Sequence, residues 1–179
     1  MKWKMLSTLI TFLLSCHPPV GAQNVEPKFS LPDSPCGNPA VYSDFYLTPA
    51  EYENAIVTKV VDGNTVVATL KNGKRKRMKL GGVDAPDIKT ETGQLSQSYL
   101  SGLVLNKRVD ILLYGSNVKA KVVGGRISLE GGPSDVNLAM LEFGMGRYGL
   151  AEHLASYDKC IYRLAAEKAE NEKKGLWKK

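Results

Sequence analysis

The chain has 179 residues, of which 43% are hydrophobic and 23% charged. That length suits one domain with appendages and excludes two large cores, and the composition excludes wholesale disorder. The formal net charge is +6; without Lys2 and Lys4, which fall in a segment expected to be removed, 22 basic residues face 18 acidic ones, a charge of +4. So slight an excess favours polyanionic partners only weakly and fits a solvated basic surface equally well.

Residues 1–22 read as an export signal. Lys2 and Lys4 give it a positive start, residues 5–14 an apolar stretch, and Val20-Gly21-Ala22 a small-residue cleavage site before Gln23. The apolar run is too short to span a bilayer. Leu13-Leu14-Ser15-Cys16 also resembles a bacterial lipobox, which would leave Cys16 as a lipidated N-terminus and anchor. Either way the mature chain is expected outside the cytosol, whether secreted, periplasmic or held at the cell surface. It then keeps Cys36 and Cys160, an even pair that implies a disulfide in an oxidising compartment, with two unpaired thiols as the alternative. No CxxC or His-rich spacing points to zinc.

Residues 23–50 carry Pro27, Pro32, Pro35, Pro39 and Pro49 without sustained periodicity, which reads as a linker or a wrapped N-terminal arm. The domain proper is expected over 51–179. Strands are expected over 55–61 and 65–70, joined by the turn Asp62-Gly63-Asn64. Asn72-Gly73 is the strongest hairpin signal and leads into a strand over 74–80. A helix over 94–105 places Leu95, Tyr99, Leu100 and Leu103 along one side. Strands follow over 109–113, 120–123 and 126–129, then helices over 136–143 and 157–174. The last puts Cys160, Ile161, Leu164, Ala165 and Ala169 on one face and stops at Gly175. Short strands with one inserted helix and appended helices suggest a mainly β, α+β fold built on a five-stranded OB-type barrel.

Five motifs, in order, then carry a resemblance. The run from Val57 to Val66 is a strand–turn–strand opening through Asp62-Gly63-Asn64-Thr65. Leu80-Gly81-Gly82-Val83-Asp84-Ala85-Pro86-Asp87 follows, then Gly124-Gly125-Arg126, then Asp135-Val136-Asn137-Leu138-Ala139-Met140-Leu141, and last the closing helix ending Lys173-Lys174-Gly175-Leu176-Trp177. Together they resemble the staphylococcal-nuclease (thermonuclease-like) family over residues 55–177. The resemblance implies an OB-fold barrel acting as a monomer on DNA or RNA. Two carboxylates and a main-chain carbonyl would hold Ca²⁺ against the scissile phosphate, two arginines would neutralise its oxygens, and a glutamate would activate water. Calcium needs hard oxygen ligands, and phosphoryl transfer needs its developing charge stabilised.

Carried onto this chain, the resemblance makes Asp84 one metal carboxylate and Arg126 one phosphate clamp. Ala85 stands where a threonine is usual and keeps the main-chain carbonyl. Asn64 stands in place of the second carboxylate, which weakens the expected Ca²⁺ binding, while Asp62 remains acidic behind it. Lys79 replaces the other arginine and lacks its planar fork; Arg77, two residues earlier on the same strand face, is placed to stand in as a nucleic-acid contact. Asp87 replaces the glutamate as the candidate base on a shorter stem. Blander readings accompany each: Asp62 and Asn64 suit a plain turn, Asp84 an ordinary loop, residues 74–79 a solubilised hairpin edge, and His153 a structural place. Two functions follow from this, beside a third reading as a lipid-anchored structural protein using neither activity. One is an exported nuclease of weakened activity; the other is an impaired nuclease-like barrel that binds nucleic acid or a protein.

Overall fold

Five strands close into a barrel because the first is long enough to serve two neighbours. The structure is a computed structural model and describes residues 35–37, 51–114, 122–149 and 154–178. Strand β1 (Glu51–Asp62) pairs antiparallel with β5 (Arg108–Tyr114) through its first half and with β2 (Thr65–Leu70) through its second. Its register slips between Val57 and Lys59 and again between Val60 and Asp62, and such bulges bend a strand around a barrel wall. β2 pairs antiparallel with β3 (Arg75–Leu80), and β5 with β6 (Val123–Leu129). A parallel contact between β3 and β6 closes the ring in the order β1-β2-β3-β6-β5. The expected five-stranded α+β barrel is therefore what this chain builds. Val57, Val66, Met78, Ile111, Leu113 and Ile127 fill its interior, all fully buried.

The β2–β3 hairpin forms as Asn72-Gly73 predicts: Gly73 takes a φ of 78° and the Lys74 amide donates to Asn72 Oδ1 at 3.0 Å. The strands expected over 120–123 and 126–129 are one strand, β6, and residues 120 and 121 lie outside the described residues. The two glycines between them read as a break. Gly125 is instead a packing requirement, since a Cβ there would sit 2.7 Å from both the Leu112 carbonyl oxygen and Met78 Sδ.

Helix α1 (Glu91–Val104) starts at Thr90, whose Oγ1 accepts from the Gly93 amide at 3.0 Å. Its buried side is Gly93, Ser96, Leu100 and Val104, whereas Leu95, expected on that side, is 47% exposed. Small residues decide the rotation, because Gly93 and Ser96 let the helix press against the Asp87 backbone and against Gly63. Helix α2 (Val136–Glu142) lies where it was expected. Helix α3 (Ser156–Asn171) is shorter than expected: Lys173 already takes a left-handed φ of 53°, ahead of Gly175. The fully buried stripe of α3 is Tyr162, Ala166 and Ala169, with Cys160, Ile161, Leu164 and Ala165 half-buried beside it. Two two-residue strands had no sequence signal, β4 (Val83–Asp84) and β7 (Arg147–Tyr148), which pair antiparallel.

Cys36 and Cys160 are joined, with Cα atoms 5.6 Å apart. The export signal with Cys16, most of the arm over 23–50, and His153 lie outside the described residues. Among the described residues no helix is long and apolar enough to cross a membrane.

Asn137 pins the barrel seam to α2. Its Nδ2 donates to the carbonyls of Gly81 (3.0 Å) and Gly125 (2.9 Å), and its Oδ1 accepts from the Ile127 amide (3.2 Å). The residue is fully buried, so water cannot replace these bonds. Each buried group stripped of its partner costs about 1–3 kcal/mol, so Asn137→Ala should lower the unfolding free energy in urea by roughly 3–5 kcal/mol. Asn137→Asp keeps the acceptor but loses both donations and should be similarly damaging. A loss below about 1 kcal/mol in both would remove Asn137 from this role.

Candidate active site

The β1–β2 turn is held by the polar atoms of one residue. Asn64 is 5% exposed. Its main-chain N–H donates to Asp62 Oδ1 (2.9 Å), and its main-chain carbonyl accepts from the Leu80 amide (2.7 Å). Its Nδ2 donates to the Val83 carbonyl (2.9 Å), and its Oδ1 accepts from the Thr65 hydroxyl (3.1 Å). These bonds bring the turn, the end of β3 and the start of β4 together, so Asn64, Lys79 and Asp84 lie at one end of the barrel. Ala85 joins them from below: a Cβ on Gly63 would come within 2.8 Å of the Ala85 Cβ.

Asp84 is exposed on β4 and lies directly opposite Arg147 on β7. Opposite residues of an antiparallel pair share a face with Cβ atoms about 4.5–5.5 Å apart, so the two side chains leave their strands on the same face. Gly149 backs the pair, since a Cβ there would sit 2.9 Å from the Asp84 Cβ. The Arg147 guanidinium also lies over the Trp177 ring, 5.0 Å from its centroid, which ties this rim to the end of the chain. Sequence reasoning gave Arg147 no role. The signal was weak: an arginine in Gly146-Arg147-Tyr148-Gly149, whose flanking glycines mark close approach of backbone.

Lys79 is exposed on the outer face of β3, with Thr65 on one side and Gly124 on the other. A Cβ on Gly124 would meet nothing within 4 Å, so the surface beside Lys79 is bare. Arg77 and Arg75 follow on the same exposed face, opposite Val67 and Thr69. Lys76 points the other way and pairs with Glu53 at 3.2 Å. Asp87 is exposed in the turn leading to α1, where its Oδ1 accepts from the Lys89 amide at 2.9 Å. One carboxylate oxygen is thus engaged locally.

Arg126 has other company. Its Nη1 lies 3.6 Å from Asp158 Oδ2 and 3.9 Å from Asp135 Oδ2, and Asp135 in turn accepts the Tyr162 hydroxyl at 2.7 Å. Asp135 also caps α2 through the Leu138 amide at 3.0 Å. The guanidinium therefore bonds the barrel to α2 and α3, and these contacts draw it towards the helices. Burial pushes the Asp158 carboxyl above its usual range, Arg126 opposes that, and the Asp135 charge adds to it. Burial, then the Asp135 charge, holds the Tyr162 hydroxyl well above its ordinary value.

The residues expected to hold calcium do not fit the ion as they are arranged. Ca²⁺ takes about six to eight oxygen ligands, carboxylates above all. Asn64 is buried with every polar atom bonded to protein, and Asp62 Oδ1 is engaged by the Asn64 amide. That leaves the Asp84 carboxylate, the Ala85 carbonyl and the second oxygen of Asp62, fewer oxygens than the ion takes. Among the described residues no three His, Cys, Asp or Glu side chains form a group able to hold a metal.

Comparison with known proteins agrees with the sequence motifs. Residues 77–179 match the family described as staphylococcal nuclease homologue. An uncharacterized endonuclease from Haemophilus influenzae is 31% identical over 121 residues, a stretch that takes in 68% of this chain and 64% of that protein.

The half-buried Asp158 beside Arg126 gives a pH signature. With its folded value raised, Asp158 binds its proton more tightly in the folded chain than in the unfolded one. Its contribution favours folding below the ordinary aspartate value of about 3.9 and is lost as pH climbs through the folded value. Asp158→Asn lacks that loss. Unfolding free energies compared at successive pH values should show the variant gaining on the wild type as pH rises from about 4 towards neutrality. A difference that stays flat or falls would contradict the raised value.

Proposed function

The chain belongs to the staphylococcal nuclease homologues, and from that premise we propose that its barrel is a nuclease hydrolysing phosphodiester bonds of DNA or RNA at the Asp84 end. The observation that carries the reading is the Asn64 junction, which gathers Lys79, Asp84 and, through β7, Arg147 on one exposed rim. In this reading the strand lies along the outer face of β3, its phosphates against Arg77 and Lys79. Lys79 and Arg147 take the non-bridging oxygens of the scissile phosphate and balance the charge that grows on them. The free oxygen of Asp87 accepts a proton from the attacking water, a new P–O bond forms, and the P–O bond to the leaving sugar oxygen breaks with that oxygen taking up a proton. Arg126 acts at one remove, by keeping α2 and α3 in place.

The family resemblance implies calcium, and no step here passes through it. Export, with Cys36 and Cys160 oxidised, belongs to the same proposal; mass spectrometry of the mature N-terminus distinguishes cleavage before Gln23 from lipidation at Cys16. A second reading, a barrel that binds nucleic acid without cutting it, is favoured by the contacts that commit Arg126 to Asp135 and Asp158.

Cleavage of single-stranded DNA and of RNA by the folded protein tests both, with Ca²⁺ in one arm and chelator in the other. Asp87→Ala, which removes the proposed base, should reduce cleavage to background. Lys79→Arg, which restores a bidentate fork, should raise the rate. Arg77→Ala should weaken binding evenly across sequences and lower the slope of log affinity against log salt by about 0.7 for single strands. Binding with this salt dependence but no cleavage above the Asp87→Ala background would assign the chain to the second reading.

A further inference from the structure

In Asn64 a neutral amide occupies a place where the family pattern leads one to expect a charged metal ligand, and its bonding shows what the amide does there. A side-chain carboxylate has no hydrogen to donate. At position 64 it would set an oxygen against the Val83 carbonyl oxygen, at the 2.9 Å where Asn64 Nδ2 now donates. Two acceptors at that distance repel unless a cation lies between them or one of them turns away. The amide removes the conflict. Its nitrogen bonds the Val83 carbonyl, its oxygen takes the Thr65 hydroxyl, and its backbone bonds Leu80 and Asp62. The orientation is fixed by chemistry, because flipping the amide would restore the clash of acceptors.

The turn is also clamped from outside. A Cβ on Gly63 would lie 2.1 Å from Ser96 Oγ and 2.8 Å from the Ala85 Cβ, and Ser96 Oγ itself donates to the Met145 carbonyl. Helix α1 therefore presses the turn against the segment after β4. A carboxylate at 64 could not relieve repulsion by moving the turn away, and at 5% exposure it could not rely on water.

We propose that Asn64 is a positioning residue whose side-chain amide is a built-in cross-link, holding the β1–β2 turn to the Asp84 strand without a divalent cation while its main-chain carbonyl ties the turn to the Lys79 strand, and that Asn64→Asp exchanges this clasp for one that needs a cation. The functional meaning rests on the reading of the Asp84 end as the reactive site, but the bonding does not.

The test is therefore read in stability as well as in cleavage. Thermal unfolding of the wild type, Asn64→Asp and Asn64→Ala is followed in chelator and across a titration of Ca²⁺. The wild-type midpoint should be the same in both. Asn64→Asp should melt roughly 5–10 °C lower in chelator and recover with Ca²⁺. Asn64→Ala should melt lower and stay there, since it lacks both amide and carboxylate. Cleavage, where present, should depend on Ca²⁺ more steeply in Asn64→Asp than in the wild type. A wild-type midpoint that climbs with Ca²⁺ as that of Asn64→Asp does would overturn the proposal, as would Asn64→Asp matching the wild type in chelator. Should Asn64→Asp fail to fold, the wild-type titration and Asn64→Ala still decide it. If nothing cleaves, the melting data judge the clasp while the nuclease reading falls separately.

Discussion

Where β3 meets β6 the two strands run parallel, and that contact extends only from Met78 to Leu80 on one side and Val123 to Gly125 on the other. Parallel pairs are slightly weaker per residue than antiparallel ones, and this one must close the whole barrel. Asn137 makes up the difference from the side. Its amide joins a carbonyl just past β3, a carbonyl on β6 and a β6 N–H, so a side chain on α2 completes a ladder that the strands leave unfinished. A buried amide with all its groups used is directional in a way that apolar packing is not, and it fixes where α2 starts. From that start Asp135 is placed to cap the helix, to accept Tyr162 and to face Arg126. The seam, the two C-terminal helices and the ion pairs between them thus depend on one side chain.

The same device recurs at the other junction. Asn64 does for the β1–β2 turn and β4 what Asn137 does for β3, β6 and α2: a buried amide bonds the backbones of neighbouring elements at the point where they meet. The glycines explain why both junctions are so close. At Gly63 and Gly125 any side chain would collide with the neighbouring element, so the backbones approach to the distance at which a single amide can bridge them. Fold and candidate site are in this sense built alike, and the site inherits the rigidity of the barrel.

What the sequence made legible was local or periodic. Asn72-Gly73 carries its own turn, the alternation through Arg77, Met78 and Lys79 carries its own faces, and five motifs in order carried the family. What it hid depended on partners distant in the chain. Leu95 reads as core on a helical wheel, but the wheel is turned by Gly93 and Ser96, whose neighbours are Asp87 and Gly63. The Asn64 amide reads as a turn residue because its partner Val83 lies 19 residues on. Arg126 sits in a motif that suggests phosphate, and nothing near it in sequence shows that Asp158 on α3 will meet it. Arg147 gains its place only when β7 pairs with β4.

Charge counting ties these departures together. A site that holds a dication can carry two carboxylates beside a phosphate, because the metal cancels them. Take the metal contacts away and two carboxylates would repel the substrate they are meant to hold. With Asn64 neutral, the exposed carboxylates Asp84 and Asp87 are balanced by Lys79 and Arg147, so a phosphate at this rim would not face an excess of negative charge. Arg75 and Arg77 add positive charge along β3, while Lys76 is balanced by Glu53 on the other side of the strand. On this argument the amide at 64 does two compatible things: it closes the junction mechanically, and it removes the charge that would make the junction hostile to a phosphate without a metal. A site altered at random would have no reason to show both.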